Sequence, residues 1–496
     1  ADETEIRLGF RKISIDPNTG LELNGCPLKI RGVAKHQDRA GVYSAVTDDH
    51  IDEDFSLIRE IGANALRLSH YQHGQHTYQC CDEGGYLVWA EIPMLKMTES
   101  HALFQNAEEQ LRELILQNIH HPSIFCWGIQ NEIGIYADAP FMYEKCRSLT
   151  ALAKRIDNSR LVTAANLYNV KFASELNAVT DMIGYNLYFG WYYGQMQDYS
   201  AYLDSFHETR PEMPLGISEY GVDANPALHS EHPKVKDYSE EYQALYHETV
   251  YPCFQSKSYL WGSFVWNMFD FSSDIRDEGG VKHINSKGMV NYDRSIKKDA
   301  FYYYKAIWSE EPFVHLCSRR FINRCRKAID VKIYTNQPCA TLFVNKTELG
   351  TLQNNGNGTI CFSDVVLSPG KNTIRAVAGT CEDECLFSQG EEDPSYALPD
   401  QGEGMVRNWF EKDDDTVRTG YYSIMDTAGD ILAGARPVMM AILPELVEYL
   451  EQGNVPLGLF MKDILAYALK DNNELIIQIN HALNQVKKAD KITSTR

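Results

Sequence analysis

Two glutamates stand where this sequence could do acid–base chemistry. Glu132 closes the apolar run "SIFCWGIQNE" directly after the amide of Asn131, and Glu219 follows a second apolar run in "PLGISEYG". A third carboxylate, Glu91, closes "YLVWAEI". Carboxylates facing each other across a pocket are what glycosidic bond cleavage needs. One protonates the leaving oxygen while the other attacks the anomeric carbon or activates water there. The ends of the runs alone leave the pair open among Glu91, Glu132 and Glu219. Asn131 tips the choice, because an amide directly before the carboxylate can bond a substrate hydroxyl beside the cleaved bond.

Other apolar runs also end on polar or aromatic residues: His36, His70, Asn186 with Tyr188, and Trp266 with Asn267. One such residue caps a helix or solvates a loop; many together outline a pocket. Trp191, Tyr192, Tyr193 and Trp266 suit the apolar face of a sugar ring, with Asn and His bonding its hydroxyls. Trp127 reads by strand alternation as plain core. The segment "SHYQHGQH" (Ser69–His76) raises a metal site as competing chemistry, but HExxH is absent. It is read as His70 in the pocket, with His73 and His76 on a loop or a first helical turn. Asp48–Asp54 reads as the acidic first turn of a helix rather than a calcium loop. The sequons at Asn345 and Asn357 read as turns.

The elements that must position these residues alternate between short β-rich runs and longer segments of helical period. Eight strands are expected: Leu28–Ala34, Ala63–Ser69, Tyr86–Ile92, Ile124–Glu132, Leu161–Asn166, Met182–Tyr188, Pro214–Glu219 and Tyr259–Asn267. Helices are expected over Asp48–Glu60, Phe104–His120, Tyr143–Asn158 and Ser239–Phe254. In Phe104–His120, Ala107, Leu111, Leu114, Ile115 and Ile119 share one face. Eight βα units in 23–308 predict an α/β fold, a TIM (β/α)8 barrel whose strands read apolar throughout because helices cover them. A doubly wound sheet is the rival, yet no GxGxxG or GxxxxGK[ST] follows any strand.

Residues 1–22 are expected to be a strand and linker leading into the barrel. Over 309–387, alternating runs such as Ile329–Asn336, Ala340–Asn345 and Asn372–Gly379 predict a β-sandwich of immunoglobulin-like type. Residues 388–404 read as a polar linker and 405–496 as a mostly helical domain, including a helix over Asn472–Lys488. The 496 residues carry 47 basic and 68 acidic side chains, a net charge of −21, which repels a polyanion and argues against nucleic acid. No basic-then-apolar leader or membrane-spanning run is present, and the expected location is bacterial cytoplasm. The 12 cysteines, without a CxxC pair, read as dispersed buried thiols of a reducing compartment.

Taken together, "LNGCPLKIRGVAKHQD", "NALRLSHYQH", "HPSIFCWGIQNEI", "YNLYFGWYYG", "ISEYGVDAN" and "FVWNMFDFSSDIRDEGG" resemble glycoside hydrolase family 2, the β-galactosidase and β-glucuronidase family, in order and across the whole barrel. The sandwich and helical tail look like C-terminal extensions of its bacterial β-galactosidases. The resemblance implies a retaining mechanism with a covalent glycosyl-enzyme, Glu132 as acid/base and Glu219 as nucleophile. It also implies that His36, Arg67, His70, Asn131, Tyr188, Trp191 and Trp266 contact the sugar or orient the nucleophile, with Glu91 and Asn186 standing behind them.

Family members begin with a jelly-roll domain and an immunoglobulin-like domain. This sequence starts almost at the barrel, which reads as a fragment, a proteolytic core or an enzyme of altered selectivity. "EYGVDAN" and "EIPMLKM" match neither the histidine nor the magnesium element of some β-galactosidases, so no metal and no cofactor is implied. "NSKG" resembles the element with which β-glucuronidases hold a uronate carboxylate, Asn285 and Lys287 being its polar residues. The other segments favour a β-galactosidase, with β-glucuronidase as runner-up. A non-catalytic carbohydrate-binding barrel and a metallohydrolase are the readings from other classes. The expected partner is a carbohydrate substrate, with neither nucleic acid nor membrane, and a homo-oligomer is left open.

Overall fold

The computed structural model describes residues 3, 6–135, 138–398, 420–453, 455–469 and 472–488. Eight parallel strands form a closed barrel in sequence order: β1 (Ile30–Lys35), β2 (Ala65–Leu68), β3 (Leu87–Glu91), β4 (Ile124–Asn131), β5 (Leu161–Leu167), β6 (Met182–Asn186), β7 (Leu215–Tyr220) and β8 (Leu260–Val265). β8 returns to β1, pairing Gly262–Val265 with Ile30–Val33, so no edge is left.

The barrel closes because large and small side chains alternate across neighbouring strands. Trp89, Trp261 and Phe264 fill its interior, fully buried. A Cβ on Gly216 would lie 2.1 Å from the Trp261 ring, and one on Gly32 would lie 2.2 Å from Phe264, so glycine on one strand admits the aromatic of the next. Below them an antiparallel ribbon, Ile13–Asp16 with Gly20–Leu23, seats Leu21 in the same cluster as Ile30, Phe125 and Trp261. The first residues thus cover the N-terminal end of the barrel, and the C-terminal end is left for chemistry.

Helices α1 (Asp48–Ile61), α2 (Gln75–Gly84), α3 (His101–Asn118), α4 (Pro140–Ile156), α5 (Asp198–Thr209), α6 (Glu240–Ser256) and α7 (Asp299–Trp308) accompany the strands. α1 begins at Thr47 in a capping box with His50 and carries Asp48 and Asp49 in its first turn, as its acidic start predicts. The fifth crossover departs from eight full βα units. It holds only a 3-10 turn, Glu175–Ala178. There Asn177 donates to the Lys171 and Phe172 carbonyls at 2.9 and 3.2 Å and Ser174 caps Leu176 at 3.1 Å, so side chains take the backbone bonds a helix would need.

After β8 the chain makes a hairpin, β9 (Phe271–Glu278) and β10 (Val281–Asn285), before α7. Two sheets follow. β11 (Val314–Leu316), β13 (Ala328–Thr335) and β16 (Thr359–Val366) form one. β12 (Asn323–Arg324), β14 (Cys339–Val344), β15 (Thr347–Gln353), β17 (Gly370–Ala378) and β18 (Cys381–Gln389) form the other. Leu316, Ile333, Leu342, Leu367 and Ile374 are fully buried between them. Barrel and sheets belong to one compact unit. A second unit contains α8 (Ala428–Gly434), α9 (Arg436–Ile442), α10 (Pro444–Glu451), α11 (Met461–Leu469) and α12 (Asn473–Leu483) around Ile431, Met439, Val447, Leu450 and Leu483. α12 ends at Leu483 rather than Lys488, and 399–404 of the expected linker, with 405–419 beyond it, lie outside the described residues.

All 12 cysteines are free thiols, and Cys26, Cys325 and Cys361 are exposed, so burial describes only part of the set. Among the described residues no helix is long and apolar enough to cross a membrane.

Candidate active site

The C-terminal end of the barrel is organised around Arg67 of β2, which has no solvent exposure. Its guanidinium donates to Glu219 Oε1 at 2.8 Å, to both oxygens of Glu91 at 3.1 Å and to Asn131 Oδ1 at 2.8 Å, and it lies 4.8 Å over the Trp89 ring. Such a fork fixes three side chains from three strands in one geometry. Burial alone pushes the Glu91 carboxyl up, but the Arg67 charge and the His70 hydrogen bond outweigh it and hold Glu91 below the usual carboxylate range. His70 Nδ1 is 2.6 Å from Glu91 Oε1, its Nε2 is 3.8 Å from Glu219 Oε1, and its ring stacks on Trp266 at 5.0 Å.

Glu219 receives a second donor on its other oxygen, the Tyr188 hydroxyl at 2.5 Å. Burial first, then the charge of Glu219, drives the Tyr188 hydroxyl far above its ordinary pKa, so it stays a donor. Glu132 is reached from the opposite side: Asn186 Nδ2 donates to Glu132 Oε1 at 2.8 Å and to Asn131 Oδ1 at 3.1 Å. Asn186 is itself fixed by Ser218 Oγ at 2.6 Å. A continuous chain of bonds thus runs Glu219, Arg67, Asn131, Asn186, Glu132. Glu132 takes φ +56°, left-handed backbone that costs a non-glycine residue about 1 kcal/mol. Its N–H is satisfied by the Ala165 carbonyl at 2.8 Å. A strained residue held by a full network at the mouth of a strand marks a working position.

An aromatic wall borders the carboxylates. His36, after β1, lies edge-on to His70 and Trp266 at 5.5 and 5.4 Å, and its Nδ1 is 3.2 Å from the Tyr71 hydroxyl. Desolvation, then the His70 charge, keeps the His36 imidazole neutral, its pKa well below the ordinary value.

Beyond Tyr188 lies a second buried charge cluster. Lys287 Nζ donates to the Tyr192 hydroxyl at 2.7 Å and to Asp223, and sits 5.9 Å over the Tyr188 ring. Arg276, from β9, donates to the same Tyr192 hydroxyl at 2.7 Å and lies 3.6 Å from Asp223 and 3.5 Å from Glu278. Burial, then Arg276, lowers the Lys287 ammonium to about 8. Burial pushes the Asp223 carboxyl up, but Lys287 and Arg276 outweigh it and leave it low.

The structure gathers His36, Arg67, His70, Glu91, Asn131, Glu132, Asn186, Tyr188, Glu219 and Trp266 into one network. Trp191 stands behind it: its indole N–H donates to Asp223 Oδ2 at 3.0 Å and its ring meets Tyr238 edge-on. Asn285 Oδ1 accepts from the Lys287 N–H at 3.1 Å, so it shapes the turn carrying that lysine. Trp127 is core, bonded to Asp157 at 3.0 Å. Asp223, Arg276, Glu278 and Ser218 are site residues that sequence reasoning misses. The signal that could find them is the charge density of "YGVDAN" and "DIRDEGG" beside the expected site.

A parallel barrel with two buried glutamates at the ends of β4 and β7, cross-braced by an arginine and an asparagine, defines a class. Residues 16–311 match Glycosyl hydrolases family 2, TIM barrel domain, and the chain belongs to that family. Residues 326–383 match a domain of unknown function, DUF4982.

Among relatives, a β-glucuronidase of Bacteroides fragilis is 38% identical over 384 residues, 74% of this chain and 54% of that protein. The structure of an FMN-binding β-glucuronidase from Facaelibacterium prausnitzii L2-6 is 41% identical with a TM-score of 0.77, covering 79% of this chain and 61% of that one. A protein of Bacteroides fragilis provisionally named β-galactosidase is 35% identical with a TM-score of 0.73, over 78% of this chain and 58% of that one. The chain spans about half the length of the curated relatives it matches.

Proposed function

We propose that this chain carries the catalytic barrel of a retaining glycosidase that cleaves terminal β-D-glucuronides. Glu219, held by Arg67 and Tyr188 on its two oxygens, attacks the anomeric carbon while Glu132 protonates the leaving oxygen and the aglycone departs. Water then attacks the glycosyl ester, gives its proton to Glu132, and Glu219 is released as carboxylate. Asn131 and Asn186 position Glu132 and meet sugar hydroxyls; Trp266 and His36 line the ring's apolar side.

The observation that carries the acidic sugar is Lys287. Its ammonium stands over the ring of Tyr188, whose hydroxyl bonds Glu219, and is kept there by Asp223 and Tyr192. A carboxylate on the sugar would accept from that ammonium alongside Asp223, an interaction a neutral galactoside does not offer. The names of the relatives point the same way more often than not, although the provisionally named β-galactosidase keeps the galactoside reading as the second one. The test compares kcat/KM for 4-nitrophenyl β-D-glucuronide and β-D-galactoside. Preference for the glucuronide by roughly 10² or more is expected from losing one buried charged hydrogen bond; faster cleavage of the galactoside would overturn the assignment.

A further inference from the structure

The barrel also brings together three dissimilar metal-ligating side chains that take no part in the network just described. Asp52 lies on α1, and His76 and Cys80 lie one turn apart on the facing side of α2. Asp52 Oδ1 is 2.8 Å from His76 Nε2 and 3.6 Å from Cys80 Sγ, and Cys80 Sγ is 3.6 Å from His76 Nε2. We propose that Asp52, His76 and Cys80 form a binding site for a zinc ion that ties α1 to α2.

Zinc takes nitrogen at about 2.0–2.1 Å, oxygen at about 2.0–2.2 Å and thiolate sulfur at about 2.3 Å, so a tetrahedron around it has edges of about 3.3–3.6 Å. Both edges to sulfur already have that length. The third needs the exposed Asp52 carboxylate to withdraw by about half an ångström, which a surface side chain does freely. One face of the tetrahedron remains for water.

The donor set selects the metal. Calcium and magnesium want oxygen ligands only, whereas thiolate with imidazole and one carboxylate suits zinc. The scaffold is rigid where it must be. Tyr78 and Cys81 are fully buried on the opposite face of α2, and Phe55 and Ile58 anchor α1, so the ligand-bearing backbones are fixed before any ion arrives. Without a metal the Cys80 thiol hydrogen-bonds Asp52, and that same arrangement already sets the sulfur at tetrahedral distance from both other ligands. On binding, the Cys80 S–H bond breaks, its proton leaves to solvent and the thiolate donates to zinc, with no change of oxidation state.

The test uses cobalt as a spectroscopic probe on the chain with its three exposed thiols removed (C26S, C325S, C361S). Titration should produce a thiolate-to-cobalt charge-transfer band that saturates at one equivalent and is displaced by zinc. His76→Gln should weaken binding at least tenfold, the scale for losing a ligand. Cys80→Ser should remove the band while leaving the melting curve without metal unchanged, and zinc should raise Tm in the parent but not in Cys80→Ser. Absence of the band in the parent, or a band that survives Cys80→Ser, overturns the proposal.

Discussion

The two buried charge clusters at the top of the barrel are built differently. Around Arg67, every donor is committed: two carboxylates, an amide and a carbonyl take its hydrogen bonds. Around Arg276, Nε and Nη1 have no hydrogen-bond partner, and neither has Glu278 Oε1, although all are buried. Arg67 belongs to a strand and Arg276 to a hairpin after the last strand. The first cluster holds the Glu219 carboxylate in one place. The second keeps two cations, Arg276 and Lys287, beside it with polar capacity unspent, capacity that the proposed uronate recognition would use.

Variants can break this contrast, beginning with the largest effect. Glu219→Gln should reduce turnover on the order of 10⁴-fold while leaving the melting curve near that of the parent, since the amide oxygen still accepts from Arg67 and the amide N–H donates to the Tyr188 hydroxyl oxygen. Retained activity would remove Glu219 from its role. Arg67→Met strands Glu91 and Glu219 as buried charges and should cost about 3–5 kcal/mol in urea unfolding. Arg276→Met should cost about 1–3 kcal/mol, because Lys287 still neutralises Asp223 and the ion pairs lost, to Asp223 at 3.6 Å and Glu278 at 3.5 Å, are longer than those of Arg67. Equal costs would erase the difference between the clusters.

Lys287→Met should lower kcat/KM for a glucuronide about 10–100-fold, the scale of a charged hydrogen bond, and change a galactoside little. Finer still is the pH dependence. The Lys287 ammonium loses its proton as pH rises through about 8, so the cation is present below that pH and absent above it. The ratio of glucuronide to galactoside kcat/KM should therefore fall on the alkaline side, and Lys287→Arg should flatten that limb. A ratio constant from pH 6 to 9 would detach the lysine from recognition.

Much of the barrel and its carboxylate pair is legible in the amino-acid sequence. The eight apolar runs form strands within a few residues of their expected limits, because a strand covered on both faces cannot alternate and so stands out. Glu91, Glu132 and Glu219 are legible as charges at the ends of buried strands, and those ends alone leave the pair among them open. The fifth crossover is not, because Ser174 and Asn177 act through bonds to backbone a few residues away, which periodicity does not register. Trp191 reads as a sugar platform by type. Its partner Asp223 comes from the β7–α6 loop, and only the folded chain shows its indole spent on that carboxylate. Arg276 shows in the sequence only as part of the charged run "DIRDEGG", which does not say that the hairpin turns inward. His76 reads as a loop or first-turn residue among neighbouring histidines, whereas the carboxylate it meets, Asp52, is supplied by the preceding helix.

The most direct test of the account is to trap the covalent intermediate. The chain is incubated with 2-deoxy-2-fluoro-β-D-glucuronyl fluoride and, separately, with the galactosyl analogue, then digested and sequenced by mass spectrometry. The account predicts one glycosyl group, from the glucuronyl reagent, esterified to Glu219 in the peptide containing "GISEYGVDAN", and none in Glu219→Gln. A label on Glu91 or Glu132, or none from either reagent, would contradict it.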